Sequence, residues 1–172
     1  LVWLADTKGT SWKIKRGVAY DNDGGALCFE PTNAGDESTL GTGKISLMGT
    51  TAPRLIFNYG HKDFPDTKLV VFAQRPDGTR TELKTIDFSK INGNEAWLTE
   101  VLSLDGFENE RYIFVGFKAI GGDNRAPIFV DNIRIMEVQQ YNLAVTVSGT
   151  GKVIKGRNAK LNVKVENIGE RS

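Results

Sequence analysis

The chain has 172 residues, enough for one well-buried core and part of a second unit. Its hydrophobic fraction of 40% excludes a disordered chain, and a net charge of only +1 argues against a nucleic-acid partner, which asks for a basic face. The single cysteine, Cys28, excludes an internal disulfide and reads as a small core residue within LCFE.

No apolar run approaches the roughly 18 residues of a membrane span. The chain begins at Leu1 in mid-pattern, without an initiating Met or a signal peptide, and stops in mid-pattern at Ser172. It reads as a piece of something longer.

In chain order, LVWLA (Leu1–Ala5) is a short first strand, and DTKGTSW is a turn leading to Trp12. WKIKRGVAY reads as a weak strand, and DNDGG (Asp21–Gly25) as a turn, since it lacks the closing Glu and flanking helices of a helix–loop–helix calcium site. ALCFE is the next strand. PTNAGDESTLGTG is a long polar, Gly-rich loop, and KISLM and RLIFNYG are two strands joined by GTTAP. KLVVFAQR and TELKTIDF form a hairpin across Pro76-Asp77-Gly78, and strands follow at Trp97–Leu104, Tyr112–Ile120 and Ile128–Val138. No segment keeps a period of about 3.6 for three turns. Short strands with regular turn signals predict an all-β sandwich, with Trp12 and Trp97 in its core.

The composition changes after Gln140. Leu143, Val145 and Val147, then Leu161, Val163 and Val165, alternate with polar residues, so one face is apolar and one is wet. Two or three strands do not stabilise themselves. Residues 140–172 are therefore expected to open a second β module after a first domain over 1–139, or else to pack on that domain or on another chain. The basic segment KVIKGRNAK reads as a solvated turn.

FVDNIRI places an acid where a strand should be apolar: Phe129, Asp131, Ile133 and Ile135 share one face. A buried carboxylate must be paired or bind a metal. Either a bulge at Asp131-Asn132 supplies backbone N–H donors and turns Ile128 and Val130 inward, or a calcium-type cation binds.

Taken in order, the Trp-led entry, KISLMGTTAPRLIFNYG, D-x-KLVVFAQRPDG, W-x-x-x-V-x-SL, RYIFVGFKA and IFVDNIRI resemble the cleaved-adhesin domains of bacterial surface proteases and haemagglutinins. They are also similar to the MAM-like, "choice-of-anchor" jelly rolls of Bacteroidetes. The resemblance covers roughly Leu4 to Val138. The tail from Tyr141 resembles the first strands of Ig-like, CARDB-type repeats. The resemblance implies a jelly-roll β-sandwich, secreted or cell-surface, without catalysis of its own, and accessory to a peptidase or other hydrolase. Its implied role is adhesion or haemagglutination through glycans or host proteins. It also implies structural calcium, with Asp131 as one ligand. A second would come from an N-terminal F-E-N-G-like segment, where this chain has LADTKGTSW: Ala5 stands at the Glu position and Asp6 one residue later. About six to eight oxygens are needed, so two carboxylates would require carbonyls, an Asn or waters besides.

The inventory for catalysis is poor. The only histidine, His61, lies in the loop GHKDFPD, with no G-x-S-x-G elbow to supply a nucleophile, and Cys28 sits in an apolar strand. One His and one Cys give no zinc set, and GTGK (Gly41–Lys44) leads into a strand rather than a helix. Glu30 and Glu100 are strand acids expected to face water. For binding, the aromatics near turns are the candidates: Tyr59, His61, Phe64 and Phe107 either form a platform for a glycan or host protein, or close the core from above. The functions to separate are a non-catalytic recognition module, a structural spacer beside a catalytic domain, and a hydrolase.

Overall fold

A computed structural model describes residues 2–21, 24–63, 65–91, 97–137, 143–149 and 161–167. The chain divides into two compact units, Leu1–Met136 and Glu137–Ser172.

The first unit is a jelly-roll β-sandwich of two five-stranded sheets. One sheet is ordered β1 (Val2–Lys8), β4 (Glu37–Thr42), β9 (Phe114–Ile120), β6 (Lys68–Gln74) and β7 (Arg80–Asp87). The other is ordered β2 (Lys13–Arg16), β3 (Gly25–Phe29), β10 (Ile128–Glu137), β5 (Pro53–His61) and β8 (Trp97–Ser103). The edge strands β7 and β8 are consecutive in the chain, and a 3-10 turn at Phe88–Lys90 follows β7. No helix is long and apolar enough to cross a membrane among the described residues.

The core follows from strand alternation. Val115, Phe117 and Ala119 of β9 pair with Ala73, Val71 and Leu69 of β6, all fully buried, and Leu40 of β4 extends the layer. Facing them in the same buried cluster are Phe29, Leu55, Phe57, Tyr59, Ile128 and Val130. Trp12 closes one end, its ring 5.7 Å from Phe29 and its indole N–H donating to the Ser38 carbonyl at 3.0 Å. Trp97 differs from expectation: it lies half-buried against a separate cluster of Ala26, Cys28 and Phe129, not in the main core.

Two segments depart from their sequence reading. Glu37–Thr42, expected as loop, is β4, bonded between β1 and β9. Its Ser, Thr and Gly residues are tolerated because neighbours supply the packing: Ser38 Oγ is 3.1 Å from Thr7 Oγ1, and Gly41 lies opposite Gly116. KISLM, expected as a strand, contributes only an isolated bridge from Ile45 to Ile113, with Leu47 buried and Met48 exposed.

The second unit contains β11 (Leu143–Gly149) and β12 (Leu161–Asn167), an antiparallel pair in register from Leu143↔Asn167 to Gly149↔Leu161. Val163 and Val165 are exposed.

Candidate functional site

Asp131 and Asp6 stand on different sheets and on different partners. Asn132 has φ +50°, so β10 bulges there. Ile128 and Val130 consequently face the main core, and Ile133 and Ile135 return to it after the extra residue. The Asp131 carboxylate accepts two backbone N–H bonds, from Tyr20 at 2.9 Å and from Asn132 at 2.8 Å. Asp6, at φ +49° in a register shift of β1, has its Oδ2 3.1 Å from the Arg80 guanidinium. Among the described residues no group of three or more His, Cys, Asp or Glu is placed to hold a metal ion. This arrangement does not fit a calcium ion shared by Asp6 and Asp131: they stand on different sheets, one accepting backbone N–H bonds and the other paired with the exposed Arg80 guanidinium. EDTA is accordingly expected to leave the melting temperature unchanged. A fall of several degrees reversed by added calcium would overturn that expectation.

The loop aromatics divide. Tyr59 is only 9% exposed, its ring packed on Phe57 and edge-on to Phe88. Phe107 is buried, with the Arg75 guanidinium 4.5 Å from its ring centre. Both rings belong to the main buried cluster. His61 stands edge-on to Phe88 at 6.1 Å, and burial holds its pKa below the usual histidine value. Phe64 lies outside the described residues. Cys28 is fully buried, and burial pushes its thiol pKa up, the opposite of an activated nucleophile.

One concavity gathers chemistry from several segments. A groove of about 550 Å³ runs along the flank where β7 of one sheet approaches β8 of the other. Tyr59, Ile86 and Ile91 line it together with Lys68, Lys84, Lys90, Asp87 and Glu100. Its size lies within the roughly 300–1,000 Å³ of small-ligand sites. Lys84 and Glu100 face each other across the seam at 3.9 Å. Asp87 caps the 3-10 turn, accepting from Ser89 N–H at 3.2 Å and Ser89 Oγ–H at 2.6 Å, and its other oxygen is 3.5 Å from Lys90 Nζ. The Ser89 hydroxyl and N–H, with the charges of Lys90 and Lys68, hold the Asp87 carboxyl below its usual range. Burial first, and then the Glu100 charge, push the Tyr59 phenol up, so at neutral pH it remains an O–H donor. No hydrogen bond joins that hydroxyl to any described residue.

Glu100 corrects its sequence reading. It shares an alternate face with Leu98 and Leu102, which pack with the core, so it turns into the groove rather than to open water. An acid in an apolar alternation, the signal noticed at Asp131, was present here too. The lysines carried no such signal, since lysines on edge strands are ordinary.

In sequence, no protein-family model matches the chain, and neither does any curated protein. In structure, it is similar to the K1 cleaved adhesin domain of Lys-gingipain from Porphyromonas gingivalis W83, at TM-score 0.59 and 16% identity over 80% of this chain and 89% of that one. It is similar to TmCBM61, solved in complex with β-1,4-galactotriose, at TM-score 0.57 and 10% identity over 79% and 88%. The family 30 carbohydrate-binding module of cellulosomal cellulase Cel9D-Cel44B of Clostridium thermocellum gives TM-score 0.55 and 14% identity over 79% and 91%. The resemblance to cleaved-adhesin domains carried by the ordered strand motifs is thus also a resemblance of fold, one that takes in carbohydrate-binding modules as well.

Proposed function

We propose that the first unit is a non-catalytic recognition module of a secreted or cell-surface protein, and that it binds glycan in the groove between β7 and β8. The observation that carries this reading is the groove's lining: a phenol hydroxyl without a partner among the described residues, an apolar floor of Ile86 and Ile91, and charged side chains converging from both sheets. Sugar recognition asks for such a mixture of apolar surface and a few oriented polar groups. The fold supports the same reading, because solved proteins that share it include an adhesin domain and carbohydrate-binding modules. The groove takes in Tyr59, one of the aromatics expected from sequence, while Phe107 is buried in the core. The second unit we propose as the opening of an immunoglobulin-like module.

The full chain on a glycan array tests the proposal. Binding to at least one oligosaccharide class is expected. Tyr59→Phe, which removes only the hydroxyl, is expected to weaken it by about twofold to tenfold, the worth of one hydrogen bond. A blank array would leave the module as a spacer beside a catalytic domain. Retention on a host-protein blot by a chain that ignores every glycan would move the partner from sugar to protein.

A further inference from the structure

We infer that the groove takes an acidic saccharide, a sugar chain bearing uronate carboxylates or sulfate esters. This rests on the glycan reading above and names its ligand class. Among the described residues, three lysines line the groove against two acids, and each acid has a partner. Asp87 gives one oxygen to the Ser89 cap and the other to Lys90. Glu100 meets Lys84 only at 3.9 Å, a loose contact that an incoming anion can replace at small cost. Lys68 pairs in register with Asp87, directly opposite it on β6, yet its ammonium forms no ion pair within 4 Å among the described residues. Among its described residues the groove therefore holds one more cation than acid, beside a hydroxyl donor. Ammonium groups on flexible stems suit carboxylate or sulfate as point charges, while Tyr59 O–H and the Ile86–Ile91 floor suit the ring and its hydroxyls.

The test uses polygalacturonate and the same polymer with its carboxylates methyl-esterified, with heparin as the sulfated probe, in affinity electrophoresis of the full chain. Retardation by polygalacturonate or heparin is expected, with little by the esterified polymer. Raising salt from about 0.05 M to about 0.5 M should largely abolish it. Lys68→Ala with Lys84→Ala together are expected to weaken binding about tenfold, the scale for losing two charge-assisted contacts at a solvated site. Their melting temperature should match the parent, because neither lysine is in the core. Which polymer is retarded more separates carboxylate from sulfate as the source of the charge. Equal, salt-insensitive binding of free and esterified polymers that falls in Tyr59→Phe would overturn the acidic class and leave the glycan reading standing. Acidic binding that survives the double variant but disappears when Lys152, Lys155 and Lys160 are neutralised would place the charge in the other unit and overturn the groove assignment. Absence of binding to any saccharide would remove both.

Discussion

Phe117→Ala should lower the stability of the first unit by about 3–5 kcal/mol, the range for removing a large aromatic from a packed core. Phe117 stands in the middle strand of its sheet, opposite Val71, and is 1% exposed. Its ring meets Phe57 of the other sheet edge-on at 5.2 Å, so the two layers lock together at this contact. Edge-to-face geometry adds roughly 0.5–1.5 kcal/mol beyond buried area. Val115, Val71, Leu55 and Val130 share its buried cluster, all fully buried and held on pleated backbones. Strands bonded on both sides do not collapse into a cavity, so little of the loss is recovered by relaxation. In a unit of this size the melting midpoint should fall by about 10–20 °C. Met48→Ala, at an exposed position, provides the contrast and should stay within about 0.5 kcal/mol. Comparable costs for the two variants, measured by urea unfolding, would show that the sheets do not meet where the geometry puts them.

Why the core was legible from sequence while the groove was not is a matter of period. Leu55, Phe57 and Tyr59, or Leu69, Val71 and Ala73, announce an inward face by simple alternation, and the facing sheet needs only to be apolar in return. The bulge at Asp131-Asn132 was legible for the same reason, because the acid interrupts the apolar face that Phe129, Ile133 and Ile135 would otherwise share. β4 was hidden because ESTLGT is polar and glycine-bearing; its strand character comes from bonding to β1 and β9, which are distant in sequence. The groove assembles Tyr59, Lys68, Lys84–Ile91 and Glu100 from four strands and one turn, and only the closing of two sheets makes them neighbours. No local pattern encodes that meeting.

Gly9→Ala should be strongly destabilising although it lies outside the core. Gly9 has φ +79°, where a side chain costs roughly 1–2 kcal/mol. A Cβ there would also come within 2.0 Å of Asp36 Oδ1 and 2.4 Å of its Cγ. The carboxylate cannot step aside freely, because its Oδ2 accepts from Thr32 N–H at 2.9 Å, Asn33 N–H at 3.0 Å and Thr10 Oγ–H at 3.0 Å. Asp36 further accepts through its own carbonyl from Gly121 N–H at 2.8 Å, which joins this loop to the end of β9. Strain and displacement together should cost about 2–5 kcal/mol. The same knot sets a pH dependence. The Asn33 N–H bond first, supported by those from Thr32 and Thr10, holds the Asp36 carboxyl below its ordinary value of 3.8. A carboxyl lowered by folding contributes its full stabilisation above the ordinary value and loses it as pH falls through the folded one. Asp87 and Asp105 are lowered as well, so the acid limb of the intact chain sums several groups. The difference in melting temperature between the intact chain and Asp36→Asn isolates one of them. That difference should be largest above about pH 5 and shrink steadily toward about pH 2.5. In Gly9→Ala the carboxylate is already displaced from its donors, so adding Asp36→Asn should cost little more at any pH. Should the two substitutions instead prove additive at neutral pH, Gly9 would be acting through backbone strain alone, and Asp36 would be holding its loop without it.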